Sequence, residues 1–255
     1  MKVIEGRRGP IGSGRRPAIA VSLLGRTAAE LIAEARTWAD QPLEVIEWRI
    51  DAFEAAQDPH AVCQLAAQLQ ASAPAKAWLL TTRSRAEGGA GSLPDEAIVD
   101  VLQALADAGH GDVLDVELRW PNAATDSIVT AARRHRLPIL FSVHDFTGTP
   151  SSERLAQWFD AGARRGGAAV KVAVMPQREA DVDALLAGTR AAHERLPLAV
   201  VGIAMGELGA RSRIEGGEWG SCLTFASGAI ASAPGQWPLT KLRDALASHY
   251  DNEGR

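Results

Sequence analysis

Eight times along this chain a short, β-rich apolar run is followed by a longer segment of alanine, leucine and charge with helical spacing. That alternation constrains the fold more than any single motif does. The strand candidates are AIAVSLL (18–24), LEVIEWRI (43–50), AWLLTTR (77–83), DVLDVELR (112–119), PILFSVHD (138–145), AAVKVAV (168–174), LAVVGIAM (198–205) and a weak last one at CLTFAS (222–227). The apolar spacing predicts helices over 27–39, 59–72, 95–108, 122–135, 151–165, 178–194, 207–214 and 238–248. Pro94-Asp95-Glu96 and Ser151-Ser152-Glu153 are helix start signals. Strand and helix alternating in this way over 255 residues is the pattern of a closed (β/α)8 TIM barrel. A doubly wound open sheet is the alternative, but it calls for a glycine-rich phosphate turn after a strand. GELGARSRIEGG (206–217) has glycines without that spacing. No linker, repeat or low-complexity stretch interrupts the chain, so one domain spanning 1–255 is expected. Residues 1–17 form an N-terminal extension expected to cover the barrel floor.

The bulk properties narrow the partners. A net charge of −4 argues against a nucleic-acid partner held by a general basic field. The short basic pairs, Arg7-Arg8, Arg15-Arg16, Arg133-Arg134 and Arg164-Arg165, read as solvated surface. The two cysteines, Cys63 and Cys222, lie far apart with no partner motif, which fits a reducing compartment and predicts neither a disulfide framework nor a zinc site. No apolar run reaches the length of a membrane span, and the N-terminus lacks a signal-peptide core. A cytoplasmic protein without a membrane partner is expected.

In a barrel the active site forms where the strands end and the loops begin. Reading each strand end gives Ser22; Glu47 and Arg49; Thr81, Arg83 and, just beyond, Glu87; Asp115 and Glu117; His144 and Asp145; Lys171; and Met205. Charges inside apolar strands are costly without partners, so they are expected to face one another across the mouth. A single Glu-x-Arg pair is more often a structural ion pair than a catalytic one, and a single histidine can be a satisfied core residue. The coincidence of all of them at one end of one sheet favours a site. A lysine in a dry setting loses affinity for its proton, and the neutral amine can add to a ketone as a Schiff base. His144 is the histidine placed to act as base on the neighbouring carbon, with Glu87 to orient its ring. Arg49, Arg83 and Arg213 suit an anionic, hydroxyl-rich substrate.

The segments EWRIDAFE, TTRSRAEGG, FSVHDFTGTP, KVAVMP and SRIEGGEWGSCLTFASGAIASAPGQ, in this order, resemble the type I 3-dehydroquinate dehydratase family. The likeness runs from AVSLLG to SAPGQ, departing at Ala168, where an acidic residue is expected, and at Trp219, where phenylalanine is usual. The resemblance implies a lyase of the shikimate pathway that dehydrates 3-dehydroquinate to 3-dehydroshikimate. It implies Lys171 as the Schiff-base lysine, His144 as the catalytic histidine and Glu87 as its partner. Substrate contacts would fall on Ser22, Glu47, Arg49, Arg83, Arg213, Ser232 and Gln236. Arg213 would hold the carboxylate, and Ser232 and Gln236 would sit on a closing loop, Ala229 to Gln236. A homodimer without metal or cofactor is also implied. A catalytically silent sensor of the same ligand, a quinate-catabolic role for the same reaction, and a class I aldolase are the alternatives.

Overall fold

The computed structural model describes residues 1–91 and 93–251. Two short strands, β1 (Ile4–Gly6) and β2 (Gly9–Ile11), pair antiparallel as a hairpin. Eight parallel strands follow: β3 (Ala18–Leu23), β4 (Val45–Arg49), β5 (Ala77–Thr81), β6 (Val113–Glu117), β7 (Ile139–Asp145), β8 (Ala169–Val174), β9 (Ala199–Ala204) and β10 (Leu223–Ala226). They form one sheet ordered β10-β3-β4-β5-β6-β7-β8-β9. The remaining seam is bridged where Val200 pairs with Ser221 and the Cys222 N–H donates to the Val200 carbonyl at 2.9 Å. The result is a (β/α)8 TIM barrel, as the strand–helix alternation predicts.

Helices α1 (Ala28–Ala39), α2 (Pro59–Ser72), α3 (Asp95–Ala108), α4 (Asn122–Arg134), α5 (Ser152–Arg164), α6 (Glu179–Arg195), α7 (Ala210–Glu215) and α8 (Leu239–Asp251) surround it. Their starts follow local chemistry. Thr27 and Glu30 form a capping box on α1, Asp58 caps α2 with Pro59 at its first position, and Ser151 caps α5. α3 buries Ile98, Val101, Leu102, Leu105 and Ala106, the one-face spacing of an amphipathic helix, and stops at Gly109 in the left-handed region.

Period-two alternation along each strand builds two cores at once. Outward residues such as Ile46, Trp48, Trp78, Leu80, Val170 and Val172 pack under the helices. Inward residues change character from floor to mouth. Ala18, Val45, Leu79, Val113, Leu140, Ala169 and Leu223 fill the floor as an apolar layer. Two residues further along each strand the same face carries Glu47, Thr81, Asp115, Ser142, Lys171 and Phe225. Several strands leave the ladder one or two residues sooner than their apolar runs suggest. β4 passes at once into a 3-10 turn, Ile50–Ala52, and Arg83 stands two residues beyond β5.

The hairpin seals the floor, with Ile4 and Ile11 buried in the apolar layer. Arg7 and Arg8 are exposed, as expected, and Lys2 just before the hairpin is half-buried, yet each is bound. Lys2 donates to the carbonyls of His193 and Leu196, Arg7 to that of Gly109, and Arg8 to that of Pro74 at 2.7 Å. These carbonyls lie at or just beyond the C-termini of α6, α3 and α2, where a cation meets the negative end of the helix dipole. Ile4→Ala should therefore lower unfolding stability by about 2–5 kcal/mol, the usual cost of such a core truncation, while leaving the opposite mouth intact. Chemical denaturation checks this, and a change below about 0.5 kcal/mol would mean that the hairpin does not belong to the core.

Candidate active site

Every residue of the expected catalytic and substrate-binding set except Ser22 lines one cleft at the C-terminal mouth of the barrel. Ser22 stands one bond behind the wall, donating to Glu47 and lying 2.9 Å from the Ser232 hydroxyl. Phe146, Ile203, Met205 and Phe225 supply apolar wall.

Arg83 organises the charged floor of the cleft. Its Nη1 donates to Glu117 Oε1 at 3.0 Å and Ser142 Oγ at 2.9 Å, and its Nη2 to Asp115 Oδ1 at 2.8 Å. Glu87 Oε2 stands 3.5 Å from Nη1. Burial alone would disfavour this cation, but the charges of Asp115, Glu117, Glu87 and Glu47 outweigh it and hold its pKa above the usual arginine value. Asp115 is buried too. The same guanidinium, together with Lys171 and Ser142, keeps its carboxyl ionised below the ordinary range against the opposing effect of burial.

Lys171 projects inward from β8 and is only 4% exposed. Its Nζ lies 3.2 Å from Asp115 Oδ2 and 5.0 Å from the centre of the Phe225 ring. The buried ammonium is thus matched by one carboxylate and one aromatic face.

His144, near the end of β7, places Nδ1 2.9 Å from Glu87 Oε2, and its backbone N–H donates to the same oxygen at 3.0 Å. One carboxylate oxygen therefore fixes both the ring and its backbone. Burial, with Arg83, Lys171 and Arg49 nearby, holds the imidazole well below its usual pKa, so the ring is neutral at pH 7. Burial and the charge of Glu117 push Glu87 up to about 8, against the pull of Arg83. In its ionised form Glu87 accepts from Nδ1–H through the same oxygen that takes the His144 backbone N–H, and Nε2 is then bare to take a proton. Gly88, at φ +84°, brings the loop against Phe146, where a Cβ would lie 2.5 Å from the ring.

Glu47 and Arg49 share a face of β4, but the charge pairing expected of them is redistributed. Glu47 accepts from Ser22 and, at 2.9 Å, from Thr81 Oγ1. Arg49 instead forms a two-pronged pair with Asp51, Nε and Nη2 each at 2.8 Å. The 3-10 turn after β4 carries Asp51, whose carboxylate lies beside the arginine.

Arg213, on α7, is the exception to charge balance. It is 2% exposed and forms no ion pair among the described residues. Its Nη1 and Nη2 donate only to the carbonyls of Phe225 at 3.4 Å and Pro234 at 3.0 Å, and its Nε has no partner among them. Burial without a counter-charge pulls its pKa down to about 10. An unmatched cation beside an open cleft is a receptor for an anion.

The segment 229–236 lies against the mouth. The Ser232 N–H donates to Gln236 Oε1 at 2.8 Å, and Gln236 Nε2 donates to Ser232 Oγ at 2.9 Å. Pro234 also accepts from the Gly206 N–H at 3.1 Å. Three residues escaped the sequence reading of the site: Asp51, Ser142 and Phe225. Asp51 reads as a loop aspartate, Ser142 as an ordinary strand serine and Phe225 as core. The period-two face of β7 and β10 was the signal available for the last two. Among the described residues no group of three or more His, Cys, Asp and Glu is arranged to hold a metal, and no helix is long and apolar enough to cross a membrane.

Known proteins share this sequence pattern and this fold. The sequence profile of the family described as Type I 3-dehydroquinase matches residues 19–253. A 3-dehydroquinate dehydratase of Lactiplantibacillus plantarum is 36% identical over 231 residues, covering 91% of this chain and 92% of the relative. One of Enterococcus faecalis is 34% identical over 254 residues, covering 99% and 100%. The crystal structure of the type I 3-dehydroquinate dehydratase of Clostridium difficile, solved with covalently modified comenic acid, superposes with a TM-score of 0.93 at 30% identity, covering 99% of this chain and all (100%) of that one.

The depressed pKa of His144 has a direct readout. In a protein labelled with nitrogen-15 histidine, its ring should give neutral-imidazole shifts at pH 6.5, since a lowered pKa postpones protonation to more acid pH. Imidazolium shifts at neutral pH would contradict the electrostatics of the cleft.

Proposed function

The chain belongs to the type I 3-dehydroquinase family, and on that premise we propose that it dehydrates 3-dehydroquinate to 3-dehydroshikimate through an imine on Lys171. One juxtaposition supports this reading above all: a buried amine, a neutral histidine and an unmatched guanidinium share one cleft. A protein that only sensed the ligand has no use for the amine.

The reaction follows from these groups. The Lys171 ammonium passes one proton to Nε2 of His144, and the amine so freed adds to the ketone carbon; the same proton returns to the carbinolamine hydroxyl, which leaves as water and gives the protonated imine. Protonated, the imine draws electrons and acidifies the C–H bond on the neighbouring carbon. Asp115, 3.2 Å from Nζ, stands beside the nitrogen that becomes cationic. His144 Nε2 takes the carbon-bound proton while the C–H electrons move toward the imine nitrogen. The resulting enamine expels the hydroxyl one carbon further on, which leaves as water with the proton from His144. Water then adds to the product imine and frees Lys171. One water forms with the imine and one is consumed at release, so the net product is a single water. Every step is carried by protein side chains.

Binding divides among the remaining residues. Arg213 meets the substrate carboxylate. Ser22, Glu47, Arg49 and Arg83 meet its hydroxyls, and Ser232 and Gln236 close the loop over it. Closure excludes water and strengthens each charged contact inside. The homodimer, the cytoplasmic setting and the place in aromatic amino-acid biosynthesis that the family resemblance implies are part of the same proposal.

Lys171→Ala should abolish turnover while substrate binding stays measurable, because the carboxylate and hydroxyl contacts lie elsewhere. Lys171→Arg should be as damaging, since a guanidinium stays protonated and cannot add to a carbonyl. His144→Ala should slow kcat by about a hundred- to ten-thousand-fold, the worth of general acid–base help. Normal turnover in Lys171→Ala removes the imine mechanism. A loss in His144→Ala well under about a hundredfold assigns the base to another group.

A further inference from the structure

We propose that Asp51 is a positioning residue for this reaction, fixing Arg49 and the loop that carries Arg83 and Glu87 in one rigid arrangement. The inference rests on the dehydratase reading above and assigns a role to a carboxylate outside the set that reading uses.

Asp51 follows β4 in the 3-10 turn Ile50–Ala52, and its side chain is fully buried (0% exposed). Its two oxygens take four bonds. Oδ1 accepts from Arg49 Nε at 2.8 Å and from the Arg83 backbone N–H at 3.2 Å. Oδ2 accepts from Arg49 Nη2 at 2.8 Å and from the Ala90 backbone N–H at 2.9 Å. A carboxylate offers about four acceptor directions, and all are occupied. The loop from Arg83 to Ala90 is thus held at both ends by one side chain. Between those ends lies Glu87, which fixes His144. Behind them the backbone is packed so tightly that a Cβ on Gly91 would lie 2.0 Å from the Asp51 carbonyl oxygen.

The fork onto Arg49 has a second effect. It uses Nε and Nη2, leaving Nη1 as the donor group available to a ligand in the cleft that Arg49 lines. Without the fork the long side chain has several rotamers to choose from, and a ligand would have to order it. Asp51 itself does not line that cleft. It therefore acts through Arg49 and Glu87 rather than on the substrate.

Displacement of such groups by about 1 Å can cost on the order of a hundredfold. Asp51→Asn keeps the shape but turns one acceptor oxygen into a donor, so one prong of the fork and one loop bond fail together. Asp51→Glu keeps the charge but moves the carboxylate by one methylene. Each variant should lose at least about tenfold in kcat/KM, through both a raised KM from Arg49 and a lowered kcat from Glu87 and His144. The Asp51→Asn loss should shrink in an Arg49→Ala background, because the two residues act as one unit.

The test measures kcat, KM and thermal unfolding for both variants, with wild type and Lys171→Ala assayed alongside. Should Asp51→Asn fail to fold, Asp51→Glu carries the test. Wild-type kcat and KM in a folded variant overturn the proposal, as do losses that simply add to that of Arg49→Ala. An inactive wild type removes instead the dehydratase reading on which it rests, and an active Lys171→Ala removes its imine mechanism.

Discussion

One guanidinium makes the cleft possible. Arg83 lies in a part of the barrel where β5, β6 and β7 bring Asp115, Glu117 and Ser142 to the same inward face, with Glu87 close by. Burying several carboxylates together is expensive by desolvation and by mutual repulsion, and each needs a donor. Arg83 supplies bonds to two of them and charge to the third. Take it away and Asp115 is left with Lys171 and Ser142 alone, while Glu117 loses its guanidinium partner. Removing one member of such a network leaves the others buried and uncompensated, which is where large destabilisation comes from. The chemistry is built on that support. Asp115 is free to face Lys171 on one oxygen because Arg83 and Ser142 occupy the other.

Charge in the cleft is deliberately uneven. Arg83, Arg49 and Lys171 each have a carboxylate within hydrogen-bonding distance, whereas Arg213 has only carbonyl dipoles. That distribution separates two tasks. The matched groups hold positions fixed before a ligand arrives, and the unmatched one supplies the attraction that an anion completes. The apolar walls, Phe225 and Met205 among them, keep the dielectric low, so that attraction is strong and the imidazole of His144 remains unprotonated.

How much of this could be read from the sequence differs by element. The barrel was legible because parallel strands buried on both faces read as apolar runs, and AAVKVAV or LAVVGIAM leave little else to fold into. Lys171, Asp115 and Glu117 stood out because a charge on the inward face of such a run has to be accounted for. Which charge pairs with which was not legible. Glu47 and Arg49 share a face two residues apart, yet each bonds elsewhere, because the stagger of the barrel and the turn at Ile50–Ala52 decide what comes within 3 Å. Asp51 was invisible for the same reason: past the end of a strand, an aspartate reads as solvated loop. The hairpin of Ile4 and Ile11 was hidden by length, since three residues are too few to show a period, and Arg7 and Arg8 look like surface until the helix ends they serve are in place.

The account stands or falls on a covalent bond between Lys171 and substrate. Borohydride added during turnover of 3-dehydroquinate, followed by mass analysis of the peptides, reads that bond directly. A reduced adduct on Lys171, absent from Lys171→Ala, is the predicted result. Rapid turnover with no trapped species, or an adduct on Lys2, Lys76 or Lys241 instead, would contradict it.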